Sequence, residues 1–213
     1  MKILPDLKSI GYPIIAVQLP LTSLREDVAT VRRAMVRESG PLLLVGHGYG
    51  GSVITAAGNT GQVKGLVFIA AFAPDASESA ASLLTLVPKA PLAGEMRSDS
   101  DGYIRLTAKG IHEDFAQDLT ATEKTALVAS QAPTSINALS GAIEDCAWRR
   151  SIPSWYLVTE NDRTIPPRLQ FMMAAKVHAQ TASTPTSHVA MLSRPDVVAA
   201  IVGDAAGVAF QRA

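Results

Sequence analysis

The sequence lacks the features that mark a chain for an oxidising compartment, a nucleic acid or a membrane. Cys146 is the only cysteine, which excludes an internal disulfide and every multi-cysteine metal site. Lys plus Arg and Asp plus Glu number 19 each, so no net field favours nucleic acid or an anionic membrane. The longest apolar runs, such as 42–45 and 66–73, fall far short of the roughly 20 residues that span a bilayer. We therefore expect neither a nucleic-acid partner nor a membrane span.

The first seven residues also lack the apolar stretch of a signal peptide, because Pro5 and Asp6 interrupt them. The expected compartment is the cytoplasm. Apolar residues make up 47% of the chain and charged residues 18%, a composition typical of a well-buried domain. A length of 213 residues suits one core, so we expect residues 1–213 to form a single domain.

Short β-branched runs alternate with longer segments of helical periodicity, which predicts an α/β fold. In such a fold a mostly parallel sheet carries helices on both faces. The predicted strands are 13–19, 41–45, 64–70, 154–158 and 180–183. The predicted helices are 23–37, 50–57, 120–131, 167–177 and 195–210, the first capped by Ser23. The alternation of predicted strands and helices stops between residues 74 and 147, where we expect a helical cap inserted over the site.

A glycine-rich turn lies between the second predicted strand and the second predicted helix. Residues 46–51 read Gly-His-Gly-Tyr-Gly-Gly. This strand-to-helix context is that of a nucleophile elbow, whose apex residue holds strained backbone angles and needs small neighbours. A tight structural turn is the alternative interpretation. A dinucleotide fingerprint is disfavoured, because the acidic residue expected about 20 positions further on is absent.

The motif resembles the Gly-His-Ser-Tyr-Gly-Gly elbow of small bacterial esterase-like members of the α/β-hydrolase superfamily, relatives of plant methyl-ester esterases and hydroxynitrile lyases. The resemblance covers nearly the whole chain and keeps the family's order of nucleophile, acid and histidine. Residues 159–167 are similar to its Asp-x-x-Ile-Pro loop, which implies Asp162 as the acid. Residues 187–195 are similar to its histidine loop, which implies His188 as the general base. The family's serine corresponds to Gly48, which has no side chain to attack a substrate.

A second departure from the family pattern lies at the amino terminus. Relatives carry an apolar strand and a His-Gly loop some 20 to 30 residues ahead of the Gly-Tyr-Pro segment, and we expect this sequence, which starts closer to that segment, to lack them. In relatives that loop supplies one of two oxyanion donors, which leaves the N–H of Tyr49 as the donor here. The missing strand would also expose two strand edges, so we expect either that the predicted strands 13–19 and 41–45 pair directly or that a second copy fills the gap as a homodimer.

The other histidines and the cysteine have structural interpretations. His47 matches the family's histidine beside the nucleophile, whereas His112 and His178 match nothing and are expected at the surface. The four histidines lack a short ligand spacing, so no metal site and no cofactor are expected. Cys146 is expected to be a small packed residue.

Three hypotheses about function follow. The first is a protein resembling a serine carboxylesterase for small uncharged esters, inactive or weakly active because position 48 is glycine. The second is a non-catalytic member of the fold that binds a small molecule or a partner chain. The third is that Gly48 is an engineered or erroneous replacement of serine and that the gene start is misassigned. Substrate identity depends on cap residues, which transfer least between relatives.

Overall fold

The computed structural model describes residues 3–9 and 11–211. Its strands are β1 (Leu42–His47), β2 (Val63–Ile69), β3 (Met96–Ser98), β4 (Tyr103–Leu106), β5 (Thr134–Ser135), β6 (Ser154–Thr159) and β7 (Gln180–Thr184). Its helices are α1 (Leu4–Ser9), α2 (Leu24–Met35), α3 (Gly50–Ala57), α4 (Ala80–Leu84), α5 (Ala108–Gly110), α6 (Ala121–Ser130), α7 (Ile136–Ser140), α8 (Pro167–Lys176), α9 (Ala190–Ser193) and α10 (Pro195–Gln211). Short 3-10 turns cover Pro91–Glu95 and Ala147–Arg150, and a π-helical turn covers Ile111–Phe115.

Four parallel strands form the main sheet in the order β1-β2-β6-β7. The central strands are apolar and buried over nearly their whole length, as expected for strands covered on both faces. Leu66 and Phe68 pack in the core formed with α2, α3 and α8. Val67 and Ile69 belong to the opposite core, formed with α10. The predicted α/β class with a parallel sheet between two helical layers is therefore confirmed.

The first predicted strand is wrong. Residues 13–19 form neither strand nor helix, and Ile14 and Ile15 are exposed. An extended segment becomes a strand only when a neighbour completes its hydrogen-bond ladder, and no described strand pairs with this one. The apolar pattern has another origin, because Val17 and Leu19 pack against the core beside α2 and α3.

Strand β1 forms one edge of the main sheet. On its inner side it pairs with β2, and no strand among residues 3–9 and 11–211 pairs with its outer side. Val45 on this strand is exposed. The pairing of this edge with a second copy stays a prediction, which light scattering in solution would test.

The segment between β2 and β6 contributes no strand to the main sheet. Besides short helices, it contains a three-stranded antiparallel sheet, β3-β4-β5, that the sequence analysis did not foresee. A tight turn joins its first two strands, where Asp99 Oδ1 accepts hydrogen bonds from the N–H groups of Asp101 and Tyr103 and Gly102 adopts φ +79°. Strands of two to four residues are too short to show a clear period in the sequence.

No helix within the described ranges combines the length and apolarity that crossing a membrane requires.

Candidate active site

Gly48 lies at the apex of the turn between β1 and α3. Its φ of +55° falls in the left-handed region, the conformation that a nucleophile elbow imposes on its central residue. Its carbonyl oxygen accepts a hydrogen bond from the N–H of Phe72 at 3.0 Å. The nearby Gly51 packs so tightly that an added Cβ would lie 2.1 Å from the carbonyl oxygen of Phe72. The glycine-rich pattern is therefore required for α3 to start this close to the sheet.

Asp162 and His188 follow β6 and β7, at the carboxyl ends of the parallel strands. The imidazole Nδ1 lies 2.8 Å from the carboxylate Oδ2, and both side chains are buried. A Cβ added to Gly48 would lie 3.0 Å from His188 Nε2. No hydrogen-bond partner of that nitrogen occurs in the described part of the chain. The structure thus brings the three sequence-predicted positions together, with the free imidazole nitrogen facing the apex.

The Asp162 carboxylate is held in its ionised form. Its Oδ1 accepts hydrogen bonds from the N–H groups of Thr164 at 2.7 Å and Ile165 at 2.9 Å. Burial by itself raises the pKa of Asp162, but the nearby His188 and these backbone donors outweigh burial and hold the pKa below its ordinary value. An ionised carboxylate accepts the proton on Nδ1, so the network assigns the basic lone pair of His188 to Nε2.

Gln170, on α8, is a fully buried polar residue that the sequence analysis missed. Its Nε2 donates to Asp162 Oδ2 and to the carbonyl oxygen of Ile165, both at 2.8 Å, while its Oε1 accepts from the N–H of Thr159 at 3.0 Å. The signal available in the sequence was a lone polar side chain on the otherwise apolar buried face of α8.

Tyr49 follows the apex and precedes the first residue of α3. Its N–H has no acceptor among the described residues, and its part as oxyanion donor stays a prediction. Its hydroxyl donates to Asp27 Oδ2 at 2.8 Å, and Asp27 Oδ1 accepts from the N–H of Leu21 at 2.8 Å. Burial and this hydrogen bond raise the pKa of Tyr49 well above its ordinary value. The buried Asp27 carboxylate therefore anchors the residue whose amide adjoins the apex.

A model of the alpha/beta hydrolase family matches residues 3–201. The chain belongs to the alpha/beta hydrolase family. The predicted resemblance of this sequence to the α/β-hydrolase superfamily is thereby confirmed.

Named relatives of this hydrolase-family chain agree with that assignment. Alpha/beta hydrolase nvfD of Aspergillus novofumigatus is 27% identical over an alignment of 234 positions, which covers 98% of this chain and 91% of the relative. Polyneuridine aldehyde esterase superposes with a TM-score of 0.81 at 19% identity, over 95% of this chain and 91% of that one. A methylesterase from Arabidopsis gives a TM-score of 0.79 at 15% identity, over 97% of this chain and 92% of that one. At these identities the structural likeness establishes the fold.

His47 supports the histidine loop of this hydrolase-family protein. Its ring lies against that of His188, with centroids 4.5 Å apart, and its Nε2 donates to the His188 carbonyl oxygen at 2.8 Å. Burial and the neighbouring His188 lower the pKa of His47 to about 3, so this imidazole is neutral across the ordinary pH range. The ring is therefore a fixed donor that holds the main chain of His188 in place.

The remaining candidates lie outside this cluster. His178 is exposed as predicted, whereas His112 is half-buried in the π-helical turn. Cys146 is fully buried, and burial raises its pKa to about 12, in keeping with a packed residue. Within residues 3–9 and 11–211, no group of three or more His, Cys, Asp and Glu side chains could hold a metal ion.

The segment between β2 and β6 contacts the histidine loop, whose His188 forms the dyad with Asp162. The ring of Phe115 lies 5.1 Å from that of His188, and Asp118 Oδ2 accepts a hydrogen bond from the N–H of Ser187 at 2.8 Å. Neither residue had a signal in the sequence, because nothing in the spacing of residues 115 and 188 indicates that they meet. An aromatic ring over the imidazole gives this side of the site an apolar wall.

Tyr49→Phe is expected to lower the free energy of unfolding by about 1–3 kcal/mol, because it leaves the buried Asp27 Oδ2 without its hydroxyl donor. Urea unfolding followed by circular dichroism measures the change. Tyr12→Phe is the matched control, since Tyr12 is exposed and should lose almost nothing. Equal stability of the Tyr49→Phe variant and the parent would show that the anchor is dispensable.

Proposed function

We propose that this chain is an esterase-like member of the alpha/beta hydrolase family that acts weakly, or not at all, on small uncharged esters. The observation that carries the proposal is at the apex, where His188 Nε2 faces a residue without a side chain. An acyl-enzyme needs an oxygen or sulfur nucleophile at that position. Glycine supplies neither, so the covalent route of serine esterases is closed to Gly48.

The residual route is direct attack by water. His188 Nε2 takes a proton from a water molecule as the water oxygen bonds to the ester carbonyl carbon, and Asp162 stabilises the resulting imidazolium. The same proton then passes to the leaving alkoxide as the ester C–O bond breaks, which yields a carboxylic acid and an alcohol. Tyr49 N–H, which has no acceptor among the described residues, can donate to the oxyanion as it forms. These conditions support slow turnover.

The substrate class rests on the surroundings of the dyad. Phe115 covers the imidazole and favours an apolar group beside the reacting carbonyl. The structural neighbours include polyneuridine aldehyde esterase and a protein named a methylesterase, which supports the ester class by analogy of fold.

Turnover of p-nitrophenyl acetate tests the proposal. The parent is expected to turn over slowly, and His188→Ala to turn over more slowly still, since general-base activation of water is what the imidazole adds. A parent rate of roughly 1 s⁻¹ or more, within the usual range of enzymes, would contradict the proposal. So would a parent rate that is substantial and unchanged in His188→Ala.

The second candidate function is binding without turnover. Two groups beside Gly48 lack protein partners in the described part of the chain, the Nε2 acceptor of His188 and the N–H donor of Tyr49. Together they suit a small molecule that donates to one and accepts from the other, such as an alcohol or an amide. A thermal-shift screen of such compounds separates the two candidates. Binding predicts a rise in melting temperature that His188→Ala abolishes, with no product formed.

A further inference from the structure

Oxygen atoms surround the Gln170 carboxamide nitrogen, and this arrangement determines its orientation. Nε2 lies 2.8 Å from Asp162 Oδ2, 2.8 Å from the Ile165 carbonyl oxygen and 3.0 Å from Thr159 Oγ1. On the other side, Oε1 lies 3.0 Å from the N–H of Thr159. A flipped amide would put its oxygen against the carboxylate and the carbonyl, and its NH₂ against a donor. The amide nitrogen must therefore point at Asp162.

We propose that Gln170 is a positioning residue that holds Asp162 Oδ2 in line with His188 Nδ1 and so keeps Nε2 free of a proton at the apex. The inference deepens the proposed function and rests on it for the part that Nε2 plays. Among the described residues, no hydrogen bond joins Gln170 to His188 or Gly48, so it acts through the carboxylate.

The physical basis is the number of donors around one oxygen. Oδ2 accepts from Gln170 Nε2, from Thr159 Oγ1 at 2.9 Å and from the imidazole at 2.8 Å. Thr159 Oγ1 lies 3.0 Å from Gln170 Nε2 as well, but the two amide hydrogens are directed at Asp162 Oδ2 and the Ile165 carbonyl oxygen, both at 2.8 Å. Without the amide, Asp162 loses a donor. The carboxylate is then held by fewer contacts, and its alignment with Nδ1 weakens.

The tautomer of His188 is the direct readout, and nitrogen NMR of the imidazole measures it without any need for turnover. We expect the parent to carry the proton on Nδ1. Gln170→Met, of similar length and without hydrogen-bonding groups, should lower the ratio of Nδ1–H to Nε2–H tautomer roughly tenfold, the scale of one hydrogen bond to a charged group. Leu169→Met changes the adjacent buried residue without removing a polar group, and should leave the ratio unchanged.

An unchanged ratio in Gln170→Met overturns the proposal, and so does an equal shift in Leu169→Met, which would mark a general effect of repacking α8. Neither result depends on activity, so the proposal can fail while the proposed function stands.

Should Gln170→Met not fold, the melting temperatures of Gln170→Glu, Asp162→Asn and the double variant test the proposal. The double variant exchanges donor and acceptor and should melt above Gln170→Glu, where two carboxylates face each other. A double variant that melts no higher than Gln170→Glu overturns the proposal.

Discussion

Gly48→Ser is expected to raise p-nitrophenyl acetate turnover roughly 10²-fold or more above the parent, the scale of general-base assistance to a positioned nucleophile. The hydroxyl would arise beside His188 Nε2, because a Cβ at this position already lies 3.0 Å from that nitrogen. The imidazole takes the hydroxyl proton, and the alkoxide attacks the ester carbonyl.

The same substitution should cost stability. A side chain at position 48 must adopt φ +55°, and its Cβ approaches His188 Nε2 closely enough that the imidazole has to retreat by a few tenths of an ångström. Backbone strain of this kind costs about 1–3 kcal/mol, so the melting temperature should fall. Gain of activity together with loss of stability is the expected signature of a restored elbow.

Two control variants separate the effect of the hydroxyl on turnover from the effect of backbone strain on stability. Gly48→Ala introduces the same Cβ without an oxygen and should lose similar stability while gaining no turnover. Gly48→Ser combined with His188→Ala should lose the gained activity, because nothing then accepts the serine proton. A parent as active as the serine variant, with activity that survives loss of His188, would show that the site lies elsewhere.

Asp162→Ala is expected to lower the free energy of unfolding by about 3–5 kcal/mol at neutral pH. The substitution removes the acceptor of several buried hydrogen-bond donors. These donors include the N–H groups of Thr164 and Ile165 and the amide of Gln170. Each buried donor without a partner carries a desolvation penalty, and the donors that lose their acceptor all lie in the cluster around position 162. Denaturant titration at pH 7 gives the difference from the parent.

The cost of Asp162→Ala should also depend on pH in a defined direction. His188 and the backbone donors hold the pKa of Asp162 below its ordinary value in the fold, despite the opposing effect of burial. A carboxyl with a depressed folded pKa stabilises the protein above the unfolded pKa, about 3.9, and loses that contribution as the pH falls through the folded pKa. The gap between parent and variant should therefore be constant near neutrality and narrow below pH ~4.

Asp101→Ala is the matched control for this prediction. Asp101 is exposed in the turn between β3 and β4, and its loss should change stability by less than about 0.5 kcal/mol at any pH. A gap for Asp162→Ala that stays constant down to strongly acidic pH would mean that the carboxylate is not stabilised by its neighbours.

Local chemistry explains which elements could be predicted. Ser23 caps α2 and Thr120 caps α6, each by accepting a hydrogen bond from an N–H three residues on, which is a contact that the sequence encodes directly. The central strands were predicted because both faces are buried and their apolar runs are continuous. Residues 13–19 have the same composition, yet whether they form a strand depends on a partner that no local pattern specifies.

By itself the sequence determined the fold class, the order of elbow, acid and histidine along the chain, and the absence of a side chain at Gly48. Only the tertiary structure decided that His188 Nε2 lies against that glycine, that Gln170 donates to Asp162 Oδ2, and that the ring of Phe115 lies against the imidazole. Strand order and helix packing bring these groups together from separate parts of the chain. Contacts of this kind leave no period or spacing in the sequence, because the sheet and the two helical layers set the distances between their atoms.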